Sequence, residues 1–455
     1  MERNNKTIKK ENPKILFYAG SPYAFRSILM WYAFAIAQKY PLIIVSEGFD
    51  SETRQALSDK NLFPKLKKII LTSYSTKTSF APMVKKNKVF YQEAKKIIED
   101  CNPDIIISPG KYTYPFELYL RRIAQKKGIT SVCLIGFQAA APEILALYSK
   151  IISAYFHKLN FLPFSAKLFL TALKKQIGHF FFYWILPLTA GELPFRKEPG
   201  CIVPKRNFGK SADYYVDFSK KGYKMSLREG VPPEKLLLLA FPYPSGYEKV
   251  RDFFKKRIIR KAFVKNKKRA LTMLLDCSDV GIEKENLSLI PKQKIAERRK
   301  EIVFLFHKIL KDWKIFIKFH PLTPKEVLAD FKEKSKSFSR YFEFVNPSEP
   351  VERYFEISDV IVGFPPASSS IYTVSFYCPE KIILSLDLNK ELLGDCYKNF
   401  KGIEYIDSKE KLINILKLIK DQKYSKDCQE PEIENLGPKE FPNIVELLDY
   451  LIAKK

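Results

Sequence analysis

Two doubly wound α/β domains are predicted by three observations. Strand and helix patterns alternate from Lys14 to Ile135, the alternation resumes beyond a basic stretch near residue 266, and 455 residues exceed what one core organises. Lys14–Ala19 (KILFYA) is an apolar run ending at Gly20-Ser21-Pro22, and an apolar helical pattern covers Phe25–Gln38. Strand signals recur at Leu42–Val45, Lys68–Leu71, Asp104–Ser108 and Ser131–Ile135, with helices at Val89–Asp100 and Pro115–Lys127. Helical crossovers between apolar strands dictate a parallel sheet, so residues 1–245 are expected to form a Rossmann-like domain. Ala212–Phe218 and Leu236–Phe241 add two further strands to it.

The second domain, placed at 266–455, repeats the alternation. Strands are predicted at Ala270–Asp276, Lys314–Phe319, Phe342–Val345, Asp359–Val362 and Lys381–Leu384, and helices at Gln293–Lys311, Ser408–Ile419 and Asn443–Ala453. Between the domains, 246–265 reads as a basic linker. It opens the run Arg251–Arg269, which carries ten Lys or Arg and one acid, Asp252.

Residues 144–190 interrupt the first domain. They are dense in Leu, Ile, Phe and Tyr, dotted with Lys150, Lys158, Lys167, Lys174 and Lys175, and broken by Pro163 and Pro187. The longest uncharged piece, Gln176–Gly191, is shorter than the roughly twenty residues a bilayer span needs. A basic amphipathic insertion lying in a membrane interface is the expectation, against the plainer possibility of a helical subdomain packed on the core. The net charge of +28 favours a polyanion or an anionic membrane surface. Without a helix-turn-helix, zinc-finger or RNA-recognition signature, nucleic acid is not the expected partner. Seven scattered cysteines without a C-x-x-C pair argue for a reducing compartment, and the charged MERNNKTIKKENPK lacks the apolar core of a signal peptide. A peripheral enzyme on the inner face of the cell membrane is the resulting expectation.

Two polar signals stand at strand ends in the second domain. Lys314–Phe319 runs into His320-Pro321, and Asp359–Val362 runs into Gly363-Phe364-Pro365-Pro366-Ala367-Ser368-Ser369-Ser370. Ligands of open α/β sheets bind beyond the carboxyl ends of the strands. An imidazole there can donate to a phosphate oxygen, and serines opening a helix can bind anions with their hydroxyls and backbone N–H groups. Each also has a plain explanation: a strand-end histidine bonded to a carbonyl, and a serine capping a helix.

His320-Pro321 followed by Ser368-Ser369-Ser370 resembles the His-Pro and Ser-Ser motif pair of GT-B glycosyltransferases in the bacterial sialyltransferase, polysialyltransferase and capsule-polymerase group. Teichoic-acid glycerophosphotransferases resemble it too. The passage from Ala212-Asp213-Tyr214 through Gly230-Val231-Pro232-Pro233-Glu234-Lys235 to Pro242 is similar to one near the domain junction of these enzymes and of UDP-N-acetylglucosamine 2-epimerases. The resemblance implies a GT-B fold, with the nucleotide donor on the C-terminal domain and the acceptor on the N-terminal one across a cleft. It also implies a closing helix near Asn443–Ala453 that crosses back to the first domain. It makes His320 the residue that contacts or assists the departing phosphate, and Ser368, Ser369 and Ser370, beside Pro321, the donor-phosphate site. Ser369-Ser370-Ile371-Tyr372-Thr373 lacks the Gly-Gly and acidic signature of the 2-epimerases, which argues against epimerisation. Ile135-Gly136-Phe137 replaces the His-Gly pair of many glycerophosphotransferase-like chains, so no catalytic histidine is expected in the first domain.

The acceptor hydroxyl needs a base. Glu47, in Ser46-Glu47-Gly48, faintly resembles the acidic-Gly motif of some sialyltransferases, and Glu143 is its rival. Gly20, Ser21 and Arg26 are expected to face the cleft, with Arg26 suited to an acidic acceptor or the donor phosphates. There is no Asp-x-Asp motif, so no metal and no cofactor are expected, and the CMP- or UDP-type sugar donor is a substrate. The expected activity moves a sugar to a surface glycan or lipid-linked acceptor. Polyol-phosphate transfer from a CDP-alcohol would use the same His and Ser site, and a membrane-bound scaffold would keep the fold alone.

Overall fold

The computed structural model describes residues 12–20, 29–74, 80–109, 115–134, 212–217, 231–239, 246–261, 269–275, 292–319, 325–334, 341–347, 351–364, 380–386, 402–425 and 440–454, with isolated positions between them. The 144–190 insertion lies outside these residues, so the interfacial segment expected there does too. Among the described residues, no helix is long and apolar enough to cross a membrane. The described residues divide into two units, the first holding those up to Val250 together with 440–454 and the second those from Arg251 to 425.

The first unit is built on strands β1 (Ile15–Gly20), β2 (Leu42–Ser46), β3 (Leu66–Leu71), β4 (Ile105–Pro109), β5 (Thr130–Leu134), β6 (Tyr214–Asp217) and β7 (Leu236–Leu239). A short β14 (Glu440–Phe441) completes an eight-stranded sheet of order β14-β7-β6-β5-β4-β1-β2-β3. Every pair is parallel, which is why the central strands are apolar on both faces: all six residues of β1 are buried. The helices are α1 (Met30–Lys39), α2 (Ser51–Ser58), α3 (Phe80–Cys101), α4 (Pro115–Lys126) and, at the C-terminus, α10 (Ile444–Ala453). Asp50 caps α2 by accepting from Thr53 N, and Asn443 caps α10 by accepting from Val445 N and Glu446 N.

The second unit has β8 (Ala270–Leu275), β9 (Lys314–Phe319), β10 (Phe342–Val345), β11 (Val360–Gly363), β12 (Ile382–Leu386) and β13 (Glu404–Ile406), in the all-parallel order β10-β9-β8-β11-β12-β13. Its helices are α6 (Lys292–Ile309), α7 (Lys325–Lys334), α8 (Glu352–Ile357) and α9 (Lys409–Lys420). Helix α5 (Glu248–Lys261) carries the chain from one unit into the other, so most of the stretch read as a linker is helical.

Both sheets therefore have the doubly wound order predicted for Rossmann-like domains. The chain winds outward from β1 to β3, then restarts on the other side of β1 with β4. It does the same from β8 to β10, restarting with β11. Each restart is fastened at the sheet's amino edge in the same way. Asp104 N donates to Lys14 O at 2.9 Å while its carboxylate accepts from Lys14 N at 2.8 Å. Asp359 N donates to Ala270 O at 2.8 Å and its carboxylate accepts from Ala270 N at 2.9 Å. An aspartate just before the restarting strand thus satisfies a backbone donor that the ladder leaves over.

The second domain ends before residue 455, and the closing helix crosses back to the first unit as the resemblance implies. The last described residues sit on the first sheet: β14 pairs with β7, and α10 packs on α1 with Ile444, Leu447, Leu448 and Leu451 buried. Asp449 accepts from Lys39 Nζ at 2.7 and 2.6 Å and from the Tyr40 hydroxyl. A four-residue apolar stripe on α10 needs an apolar partner, and the wholly buried Ala33, Phe34 and Ile36 run of α1 provides a complementary helix.

Candidate functional site

In the second unit the restart point lies between β8 and β11, and β9 flanks β8 on its other side. Phe319, the last residue of β9, pairs with Leu275, and Gly363, the last of β11, pairs with Leu274. The two strands that lead into the sequence signals thus end level with each other, one strand apart. Two strand spacings, about 10 Å, separate their ends. His320, Pro321, Ser368, Ser369 and Ser370 follow these ends in sequence and lie outside the described residues.

The described residues around Gly363 are closely packed. A Cβ at position 363 would lie 2.2 Å from Ile371 Cδ1 and 2.4 Å from its Cγ1. Ile371 is buried and helical, and its side chain occupies the space beside the Gly363 backbone that the Cβ of any other residue would need. Phe364, 4% exposed, continues β11, and Arg299 of α6 lies over its ring at 5.3 Å. Arg299 is itself buried, which places a permanent cation beside the residue that enters the serine stretch. In the sequence Arg299 sits in Glu297-Arg298-Arg299-Lys300-Glu301, where it reads as one of several solvated charges.

The corresponding restart in the first unit lies between β1 and β4. Gly20 ends β1 with φ +61°, a left-handed conformation that glycine adopts without penalty, and a Cβ there would meet Pro109, the last residue of β4, at 3.7 Å. Glu47 follows β2, on the far side of β1 from β4, and its backbone N donates to Gly20 O at 3.2 Å. The fully buried Ser46 hydroxyl lies 3.2 Å from Gly20 O and 2.9 Å from Gly48 O, tying the ends of β1 and β2 together. Two of the expected first-domain residues, Gly20 and Glu47, are therefore neighbours at one sheet edge. Ser21, Arg26 and Glu143 lie outside the described residues.

A polar group that the motifs did not single out lies at the end of β4. Arg121, wholly buried, donates from Nη1 to Ser108 Oγ at 3.2 Å and to Glu117 Oε1 at 3.1 Å. Burial pushes the Glu117 carboxyl up to about 7, against the opposing pull of Arg121 and of a hydrogen bond from Ser108. The only trace in sequence is a Glu and an Arg four apart on a helix that is otherwise apolar nearly all round, PFELYLRRIA.

No family model matches the chain, and no curated protein matches it. Solved structures do. S. aureus MnaA in complex with UDP superposes with a TM-score of 0.52 at 13% identity, over 97% of each chain. UDP-GlcNAc 2-epimerase from Neisseria meningitidis bound to UDP-GlcNAc gives 0.52 at 13% identity, over 97% of this chain and 100% of that one. UDP-N-acetylglucosamine 2-epimerase from Rickettsia bellii gives 0.50 at 14% identity, over 97% and 95%. At this identity the likeness speaks for the fold: two parallel-sheet, Rossmann-like domains of the GT-B type.

Proposed function

We propose that this chain is a GT-B glycosyltransferase that moves a sugar from a CMP- or UDP-type donor to a surface glycan or lipid-linked acceptor. The observation that carries the proposal is the order β9-β8-β11 in the second unit, which brings the chain entering His320-Pro321 and the chain entering Ser368-Ser369-Ser370 to one edge, on either side of one strand. Serine hydroxyls arriving there suit phosphate oxygens, and an imidazole suits a departing phosphate that needs a proton or a hydrogen bond. Arg299 adds positive charge to the same edge. The substrate class draws support from the UDP and UDP-GlcNAc in the similar structures. On the acceptor side, Glu47 is the proposed base.

Titration of the purified protein with CMP, CDP, UDP and GDP tests the donor site. One nucleotide is expected to bind, and Ser369→Ala to weaken it by about 10- to 100-fold, the loss of one hydrogen bond to a charged group. Equal affinity in a folded variant would remove the serine from the site.

Epimerisation is the second reading, favoured by the identity of the similar structures. Ser370-Ile371-Tyr372-Thr373, without an acidic residue, counts against it. The two differ in product: transfer releases free nucleotide, whereas epimerisation leaves the sugar joined to it. Phosphorus NMR of the protein incubated with UDP-GlcNAc and a lipid acceptor separates them.

The net charge of +28 and the basic, aromatic 144–190 stretch support docking on an anionic membrane. Deleting residues 144–190 is expected to move the protein from pelleted phosphatidylserine vesicles to the supernatant. Continued pelleting at moderate salt would transfer that role to Arg251–Arg269.

A further inference from the structure

Strand β3 ends the first sheet, with β2 on one side and, among the described residues, no strand on the other. An edge strand offers backbone N–H and C=O groups to any extended chain, and folded proteins normally cover it or load it with charge. Here Lys67 and Lys68 are exposed, but so are Ile69 at 36% and Leu71 at 51%. Among the described residues no other edge strand, whether β14, β10 or β13, exposes a large aliphatic side chain. Side chains alternate along a strand, so Lys67, Ile69 and Leu71 share one face, while Ile70 on the other packs against the first unit's core. The Leu66 carbonyl already accepts from Lys60 Nζ at 3.0 Å, which leaves 67–71 as the open stretch.

Helix α3 extends the same character past the strand end. Ser73, two residues beyond β3, donates to the Glu93 carboxylate from its N at 2.9 Å and from its Oγ at 2.6 Å, which fastens the helix there. Val89 lies one turn before Glu93 on that side of the helix and is 58% exposed. Lys86 and Lys96, also exposed, lie at helical spacing from Val89.

We propose that β3 is a docking edge for an extended acidic segment of a partner protein, which adds as a further strand beside 67–71. Its carboxylates would meet Lys67 and Lys68, and its apolar side chains would cover Ile69 and Leu71. The net charge of +28 draws an acidic chain toward this edge. Charge also decides against a second copy of this chain, which would bring the same two lysines across the new strand pair, where like charges are destabilising. A bilayer suits the lysines and the aliphatic side chains, but acyl chains cannot bond the open backbone groups of the edge, and a peptide can.

The probe is a capped peptide of about ten residues alternating Glu and Val, the length of a long strand. It is titrated calorimetrically into the full chain, beside one peptide with Lys for Glu and one with a central Pro. The Glu peptide is expected to bind and to slow amide hydrogen exchange over 67–71, leaving the β10 edge, which carries Glu343, unchanged. Lys67→Glu with Lys68→Glu, and separately Ile69→Ser with Leu71→Ser, are each expected to weaken binding by about tenfold or more. All four side chains are exposed, so both double variants are expected to keep the parent's melting temperature. Failure of the Glu peptide to bind at millimolar concentration overturns the proposal, as does equal binding of the Lys peptide. Equal binding of the Pro peptide would show charge attraction without strand pairing, and refutes it too. Loss of pelleting with phosphatidylserine vesicles in the Ser variant, with no peptide bound by the parent, would make the edge a lipid contact. Conversion of a parent dimer to a monomer by the same variant would make the occupant a second copy, and either result refutes the acidic strand.

Discussion

Deleting residues 440–455 is expected to prevent the first unit from folding, although the deletion lies at the far end of the chain from α1. Helix α10 buries Ile444, Leu447, Leu448 and Leu451, all four at 0–2% exposure against the unit's own core. At about 1.5–3 kcal/mol per fully buried side chain, the four contribute roughly 6–12 kcal/mol as an upper bound, which is comparable with the whole stability of an ordinary domain. The polar contacts decide less. The Lys39–Asp449 pair is 51% and 41% exposed, and such a pair contributes below about 1 kcal/mol. The deletion also uncovers β7, which loses its β14 neighbour and becomes an open edge. Leu448→Ala is therefore expected to lower stability by about 2–5 kcal/mol and Asp449→Asn by well under half as much. A shortened chain that melts with the same number of transitions at the same temperatures as the intact one would refute this account of α10.

Much of the architecture was legible because the parallel sheet makes its strands apolar on both faces. Lys314–Phe319 and Phe342–Val345 are strands with the bounds their patterns suggested, and Ser408 and Asn443 are caps one residue before the helices they start. Short or polar elements were not legible. Helix α2, SETRQALS, shows no continuous apolar stripe and is held by the Asp50 cap, and β13 and β14 have three and two residues, too few for any periodicity. The return of the closing helix to the first unit was implied by the family resemblance, whereas the pairing of β14 with β7, two hundred positions apart, is encoded by no local pattern. The same limit governs the site. The strand ends that lead to His320 and Ser368 could be named from sequence, but their positions on either side of β8 depend on the sheet order. Arg299 and the Glu117–Arg121 pair were invisible for a related reason: a charge on a helix reads as solvated until the packing shows it buried.

His320→Ala is expected to lower the rate of nucleotide release by about 10²–10⁴-fold, the range for removal of a group that moves or shares a proton in the transition state. The same variant is expected to leave the melting temperature nearly unchanged. Strand β9 completes its ladder before position 320: Phe319 is its last paired residue, opposite Leu275, and the β9–β10 register ends earlier still, at Val345 opposite Lys318. The apolar anchor of the strand end is Phe319, 1% exposed, edge-on to Phe331 at 5.3 Å and stacked on Phe344 at 6.4 Å. Phe319→Ala supplies the opposite pattern, a loss of about 3–5 kcal/mol in stability with turnover falling only as folded protein is lost. The pair of variants separates chemistry from scaffold at adjacent positions. Turnover near the parent's in a well-folded His320→Ala protein would take the histidine out of the reaction, and the leaving phosphate would then have to be met by the serine stretch and Arg299 alone. A large drop in melting temperature would instead make His320 a strand-end brace. In that case Ser369→Ala, which the same donor reading requires to weaken nucleotide binding, would still test the site independently of it.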